Sequence, residues 1–232
     1  MRVVSLVPSS TETLLALGAE LIACTRFCEQ PDLPHVGGTK NPDVEAIIAL
    51  RPDVVVMDRE ENRIEDHDAL VEAGVRVFVS DVRSVDDAIA LVGELAALTQ
   101  ASGHEPERGM PSGVRQAFAG RARRTAFVPI WRRPWMTIAG GTYGASLLAL
   151  LGVDLVTADL SDSYPTVQLE EIAALRPDLV LVPSEPYVFT DGHLDELATA
   201  MPEATIVRID GQDLFWWGAR TPAAIERLSA AI

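Results

Sequence analysis

One stretch of this chain occurs twice. Glu45-Ala-Ile-Ile-Ala-Leu-Arg-Pro-Asp-Val-Val-Val-Met57 returns as Glu171-Ile-Ala-Ala-Leu-Arg-Pro-Asp-Leu-Val-Leu-Val182, aligned on Ala-Leu-Arg-Pro-Asp. Upstream, Leu14-Leu-Ala-Leu-Gly18 resembles Leu147-Leu-Ala-Leu-Leu-Gly152. A helix cannot run through Arg-Pro, so Pro52 and Pro177 each end one. The runs that follow, Val54–Val56 and Leu179–Val182, lack polar alternation and predict strands buried on both faces, as in a parallel sheet covered by helices. Gly18 and Gly152 stand where a helix closes on a left-handed residue. Each half therefore reads strand, helix, glycine stop, strand, helix, Pro-Asp, strand. That order gives right-handed βαβ units, one set per half.

The predicted fold is α/β: two lobes with mainly parallel sheets, joined by a linker helix, with a ligand cleft between the lobes. The first lobe covers residues 1–83, the linker 84–124 and the second lobe 125–232. Ser84-Val-Asp-Asp-Ala opens the linker with a capping hydroxyl and acids in the first turn. Pro106 and Pro111 predict that this helix is kinked or split.

Composition narrows the function. The chain carries 34 acidic against 19 basic side chains, a net charge of −15. Such a surface repels phosphate backbones and anionic lipid, which argues against nucleic-acid and membrane-surface partners. No apolar run approaches the ~20 residues a spanning helix needs. Met1 leads directly into a strand-like segment with no charged, apolar leader, which leaves two readings of location open: cytoplasmic, or a secreted protein whose start is trimmed or misplaced. Cys24 and Cys28, without a second Cys/His cluster, leave three readings open: a disulfide, half of a metal site, or two buried thiols.

Ligands of open parallel sheets sit at the carboxyl ends of the strands. The loops expected there hold all four tryptophans, Trp131, Trp135, Trp216 and Trp217, together with Tyr187. Large rings at the mouth of a site give broad contact at low entropic cost. The candidate ligand-binding set is Lys40, Glu61, Asn62, Trp131, Arg132, Tyr187, Trp216, Trp217 and Arg220. The cations can pair with carboxylates or stack on rings. No catalytic residue is assigned. Ser9, Ser10 and Ser184 lack a nucleophile elbow, the four histidines lie in polar contexts, and Glu60 and Glu61 read first as acids favouring a helix start. No phosphate loop, dinucleotide fingerprint or metal motif is present, so neither a cofactor nor a structural metal is expected.

Several of these segments together resemble a known family. Arg2-Val-Val-Ser-Leu-Val-Pro-Ser-Ser-Thr-Glu12, Val36-Gly-Gly-Thr-Lys-Asn-Pro42, the two Leu-Arg-Pro-Asp helix ends and Ser184-Glu-Pro are similar to the periplasmic-binding-protein family for cobalamin and ferric siderophores, the helical-backbone metal receptors. The resemblance runs from Arg2 to about Arg220. It implies a solute-binding protein of an ATP-driven importer, taking a metal chelate or corrinoid (ferric siderophore, cobalamin-like or haem-like). It also implies an extracytoplasmic, monomeric protein that is not an enzyme. In that family an acid on each lobe docks on the permease, and Glu65 and Glu196 (or Asp195) are the matching candidates. The loop Asp58-Arg-Glu-Glu-Asn62 stands where cobalamin binders of the family tend to place an aromatic. It points to a ligand with cationic or hydroxyl groups, or to a chelate of another shape. A cytoplasmic chaperone or sensor of the same fold, and less so an enzyme using carboxylates, are the alternatives.

Overall fold

A computed structural model describes residues 1–100, 118, 120 and 122–232. These fall into two compact units. The first gathers residues 1–82, 87–100 and 217–220; the second gathers 83–86, 122–216 and 221–232. The break expected around Pro106–Pro111 lies outside the described residues.

In the first unit β1 (Arg2–Ser5), α1 (Pro8–Ala16) and β2 (Glu20–Cys24) lead to a small hairpin, β3 (Gly37–Gly38) with β4 (Asn41–Pro42). Then come α2 (Val44–Leu50), β5 (Val54–Asp58), α3 (Ile64–Glu72), β6 (Val77–Ser80) and α4 (Val85–Thr99). The sheet order is β2-β1-β5-β6, with every pairing parallel.

The second unit opens with β7 (Arg124–Phe127) and the antiparallel pair β8 (Pro129–Trp131) and β9 (Met136–Thr137). It continues through α5 (Tyr143–Leu150), β10 (Val153–Leu155), α6 (Leu169–Ala174), β11 (Leu179–Pro183), α7 (Asp191–Ala200), β12 (Thr205–Ile209), α8 (Gly211–Phe215) and α9 (Thr221–Ala231). Its sheet runs β10-β7-β11-β12, again all parallel. The two sheets thus share one order relative to their own chain segments, as the sequence repeat requires.

The repeat has a structural reason beyond helix termination. Arg51 and Arg176 both adopt left-handed backbone, φ +49° and +48°, and turn the chain from helix into strand. The aspartate after each proline then ties that strand to the first strand of its half. Asp53 Oδ2 accepts from Arg2 N at 2.7 Å. Asp178 Oδ2 accepts from Thr125 N at 2.6 Å and from Thr125 Oγ1 at 2.8 Å. These bonds favour the ionised form and hold the Asp178 carboxyl below its ordinary range.

Both central strands are buried along their whole length, β5 and β11 alike. Val4, Leu6, Ala23, Val36, Ile47, Val55, Met57 and Leu70 form the core of the first unit. Phe127, Trp135, Val180, Val182, Phe189, Leu197 and Met201 lie in that of the second. Within the first unit, helix α4 buries Ala88, Leu91 and Leu95, the spacing of one helical face. Gly18 and Gly152 end α1 and α5 at φ +73° and +84°. At the first, Gly18 N donates to Leu15 O and Ala19 N to Leu14 O, the paired bonds of a Schellman close. Among the described residues no helix is long and apolar enough to cross a membrane.

Candidate ligand site

In parallel sheets the chain leaves each strand at the same edge, so the loops after β1, β2, β5 and β6 gather in one unit and those after β7, β10, β11 and β12 in the other. The second unit carries the aromatic loops. β8 and β9 close a hairpin whose turn holds Trp131, Arg132, Arg133, the cis-linked Pro134 and Trp135. The loop after β11 runs Ser184-Glu185-Pro186-Tyr187-Val188-Phe189, with a second cis bond at Glu185-Pro186.

These two loops meet through their rings. Trp131 and Tyr187 form an edge-to-face pair with centroids 5.1 Å apart, and Tyr187 packs on Phe189 at 4.9 Å. Phe189 stacks on Trp135 at 5.9 Å, nearly parallel. The stack therefore grades from core to surface. Trp135 and Phe189 are buried, Tyr187 is half-buried, and Trp131 and Val188 are 44% and 78% exposed. Trp135 belongs to the hydrophobic core, not to a site mouth as its loop position suggested.

Arg132 lies over the Trp135 ring, its guanidinium carbon 4.8 Å from the centroid. It donates from Nη2 to both carboxylate oxygens of Glu196, at 2.7 and 2.8 Å, and from Nε at 3.1 Å. This fork geometry is the strong form of an ion pair. A residue assigned to the ligand and one assigned to a permease thus hold each other, while the neighbouring Asp195 is exposed. Trp216 is half-buried and donates from Nε1 to Glu185 Oε1 at 2.7 Å. Ser184 Oγ accepts from Gly211 N at 2.9 Å. The Ser-Glu-Pro motif thus fixes the turn beneath Tyr187 and fastens it to α8.

In the first unit, Asn62 was expected to face a ligand. It is only 8% exposed and brackets three loops instead. Its Oδ1 accepts from Asp58 N at 2.8 Å, and its Nδ2 donates to Thr39 O at 2.9 Å and Leu6 O at 3.3 Å. Asp58, also buried, accepts from Ser80 Oγ at 2.7 Å and from the backbone N–H of Glu60 and Glu61 at 2.9 and 3.3 Å. The polarity of Asp58–Asn62 therefore serves the loop's own hydrogen bonds, and it carries less information about the ligand than the sequence suggested. Lys40, exposed at the hairpin tip, donates Nζ to Glu60 O, and Glu61 is exposed beside it.

Trp217 is 6% exposed and packs within the first unit. Arg220 belongs to the same unit and pairs with Glu12, Nε to Oε2 at 2.9 Å and Nη2 to Oε1 at 3.0 Å. Glu12 closes the Pro-Ser-Ser-Thr-Glu motif, and nothing in the sequence pattern signalled its partner 208 residues away. Glu65 is exposed and accepts from Arg63 Nε at 3.4 Å.

Burial pushes the Asp58 carboxyl up, against the bonds from Ser80, Glu60 and Glu61 that favour its charge. Folding then holds the Asp58 proton to a higher pH than the unfolded chain does, so this group costs stability as pH rises through the folded value. Asp58→Asn keeps an acceptor for Glu60 and Glu61. Its amide can donate to Ser80 Oγ, which already reaches Met57 O at 3.2 Å. We expect the variant to be at least as stable as the parent at pH 7, and to lose that advantage in acid. Urea midpoints at both pH values check this; a loss confined to neutral pH would contradict it.

A sequence model of the family described as periplasmic binding protein matches residues 3–203. The vitamin B12-binding protein of Yersinia pestis (strain Pestoides F) is 26% identical over 235 residues, covering 95% of this chain and 81% of that protein. Two solved structures superpose on nearly the whole chain. The periplasmic vitamin B12-binding protein BtuF of Vibrio cholerae has a TM-score of 0.81 at 22% identity, covering 99% of this chain and 95% of its own. The periplasmic heme-binding protein HutB of the same organism has a TM-score of 0.82 at 22% identity, covering 99% and 98%. At such identities the structures speak for the fold, and the family match speaks for membership: the chain belongs to the periplasmic binding protein family.

Proposed function

We propose that this protein is the solute-binding component of an ATP-driven importer, works outside the cytoplasm, and captures a large metal-centred macrocycle of the corrinoid or haem type without chemical change. The observation that carries the reading is the graded aromatic stack. Trp131 presents a broad half-exposed ring braced edge-on by Tyr187, on loops fixed from below by Phe189, Trp135 and the Arg132–Glu196 fork. A rigid aromatic platform suits a wide, flat, partly apolar ligand, because two stiff rings lose little entropy on contact. The B12-binding and heme-binding names among the relatives support the same class.

Docking to a permease would use exposed acids. Glu65 is available on α3, and on α7 Asp195 is the exposed choice, since Glu196 is committed to Arg132.

The test is intrinsic tryptophan fluorescence of the purified protein titrated with cyanocobalamin, cobinamide, haemin and ferric siderophores. We expect saturable quenching by a corrinoid or haemin, because an absorbing macrocycle would lie against Trp131. Saturation by a ferric siderophore alone would replace the macrocycle with that class. Silence from all four would remove the metal-chelate reading.

A further inference from the structure

Strand β2 ends in a cysteine, and four residues later the chain presents another. Cys24 is fully buried and Cys28 is 3% exposed, both as free thiols. A tight turn joins them, closed by Cys28 N donating to Thr25 O at 3.1 Å. Each thiol bears on the ionisation of the other, as neighbouring sulfurs do.

The surroundings of Cys28 are unusual for a packed thiol. Thr25 Oγ1 lies 3.2 Å from its sulfur, and Thr11 Oγ1 on α1 lies at the same distance. Thr25 Oγ1 accepts from Phe27 N at 3.4 Å, which leaves its proton for the sulfur. A core cysteine that only fills space has apolar neighbours; here hydroxyls gather around one sulfur of an adjacent pair. We propose that Cys24 and Cys28 form a dithiol–disulfide couple, with Cys28 the attacking sulfur and Cys24 the resolving one.

The electrostatics agree with the geometry. The neighbouring Cys24 thiol, with hydrogen bonds to Thr11 and Thr25, draws the Cys28 thiol down to about 6 despite its burial. Cys28 and burial together push Cys24 upward. The two shifts run in opposite directions, so Cys28 is the more readily ionised sulfur and Cys24 the one that holds its proton, which divides the roles of nucleophile and resolver.

The co-reactant is a small-molecule disulfide. Cys28 thiolate attacks one of its sulfurs, forming a mixed disulfide and expelling the first thiolate. Cys24 gives up its proton to solvent, attacks Cys28 Sγ and expels the second. Two protein thiols are oxidised by two electrons, and the disulfide is reduced to two thiols.

Access is through the turn itself. Arg26 and Phe27 lie between the cysteines and are exposed, Phe27 at 48%. Beyond Cys28 the chain runs through residues 29–34 outside any helix or strand, before Pro34 O and Val36 N bond back to Cys24. Local opening of such a segment costs far less than global unfolding. Arg26 N donates to Gly37 O at 3.0 Å, so a bond between Cys24 and Cys28 would stiffen the loop that abuts the Gly37–Pro42 hairpin.

The test is incubation of the folded protein with oxidised glutathione at pH 7, then acid quench, alkylation in denaturant and intact mass. We expect the protein to lose both alkylatable thiols and two hydrogens, with no lasting adduct. Cys24→Ser should stop at one glutathione on Cys28, and Cys28→Ser should react at least about tenfold more slowly. A stable mono-adduct on the unsubstituted protein would overturn the proposal. So would two thiols that stay free in the folded protein while oxidising readily in urea. The wild-type result needs no variant to fold, and no outcome depends on the transported ligand.

Discussion

Replacing Gly218 with alanine should destabilise the first unit by about 2–6 kcal/mol, more than any other alanine substitution of a glycine that meets no backbone atom. Gly218 is buried, at φ +103°, in the segment 217–220 that packs on α1. A Cβ there would fall 2.1 Å from Thr13 Oγ1 and 3.3 Å from Thr13 Cβ. Thr13 cannot simply turn away. Its hydroxyl donates to Ser9 O at 2.8 Å and accepts from Ala219 N at 3.1 Å, and a β-branched side chain in a helix has few rotamers. Backbone strain contributes about 1–3 kcal/mol, and overpacking a similar amount. Gly18→Ala separates the two effects. Gly18 also has positive φ, +73°, but a Cβ there meets nothing within 4 Å, so only strain of about 1–2 kcal/mol is expected. Urea midpoints of both variants check the difference. Combining Gly218→Ala with Thr13→Ala should cost less than the two singly, because the clash is a pairwise term. Equal losses for Gly218→Ala and Gly18→Ala would mean that Thr13 yields.

The Arg-Pro-Asp repeat gave both sheets, because helix termination and a continuous apolar strand are local properties. The role of Asp53 and Asp178 in joining the first and third strands of each half was hidden, since their partners lie 51 and 53 residues away. Pairings such as Arg132–Glu196 and Arg220–Glu12 follow no periodicity, and their side chains read only as available charges. The same limit applied to the tryptophans. Sequence placed all four after strands, but a strand end does not say which way a ring turns. Trp135 entered the core of one unit and Trp217 that of the other, while Trp131 stayed half-exposed. Polar loop residues misled in the opposite direction. Asn62 looked like a ligand contact because it is polar in a strand-end loop, yet burial there demands that it and Asp58 bond to the chain.

Trp131→Ala should weaken binding of whichever macrocycle saturates the fluorescence titration by about 1–3 kcal/mol, roughly fivefold to 150-fold in Kd, with little change in stability. The asymmetry follows from exposure. Trp131 is 44% exposed and its main partner within the protein is the edge of Tyr187, a contact that contributes about 0.5–1.5 kcal/mol. Trp135→Ala would behave in the reverse way. Trp135 is 7% exposed and stacks on Phe189 under Arg132, so its loss opens a cavity at about 3–5 kcal/mol of folding. Trp131→Phe keeps a flat ring and should recover part of the affinity if stacking is the contact. Isothermal titration of the three variants beside the parent, with urea midpoints, separates the cases. Full affinity in Trp131→Ala would place the macrocycle away from the β8–β9 turn, since no ligand resting on that platform could be indifferent to its most exposed ring.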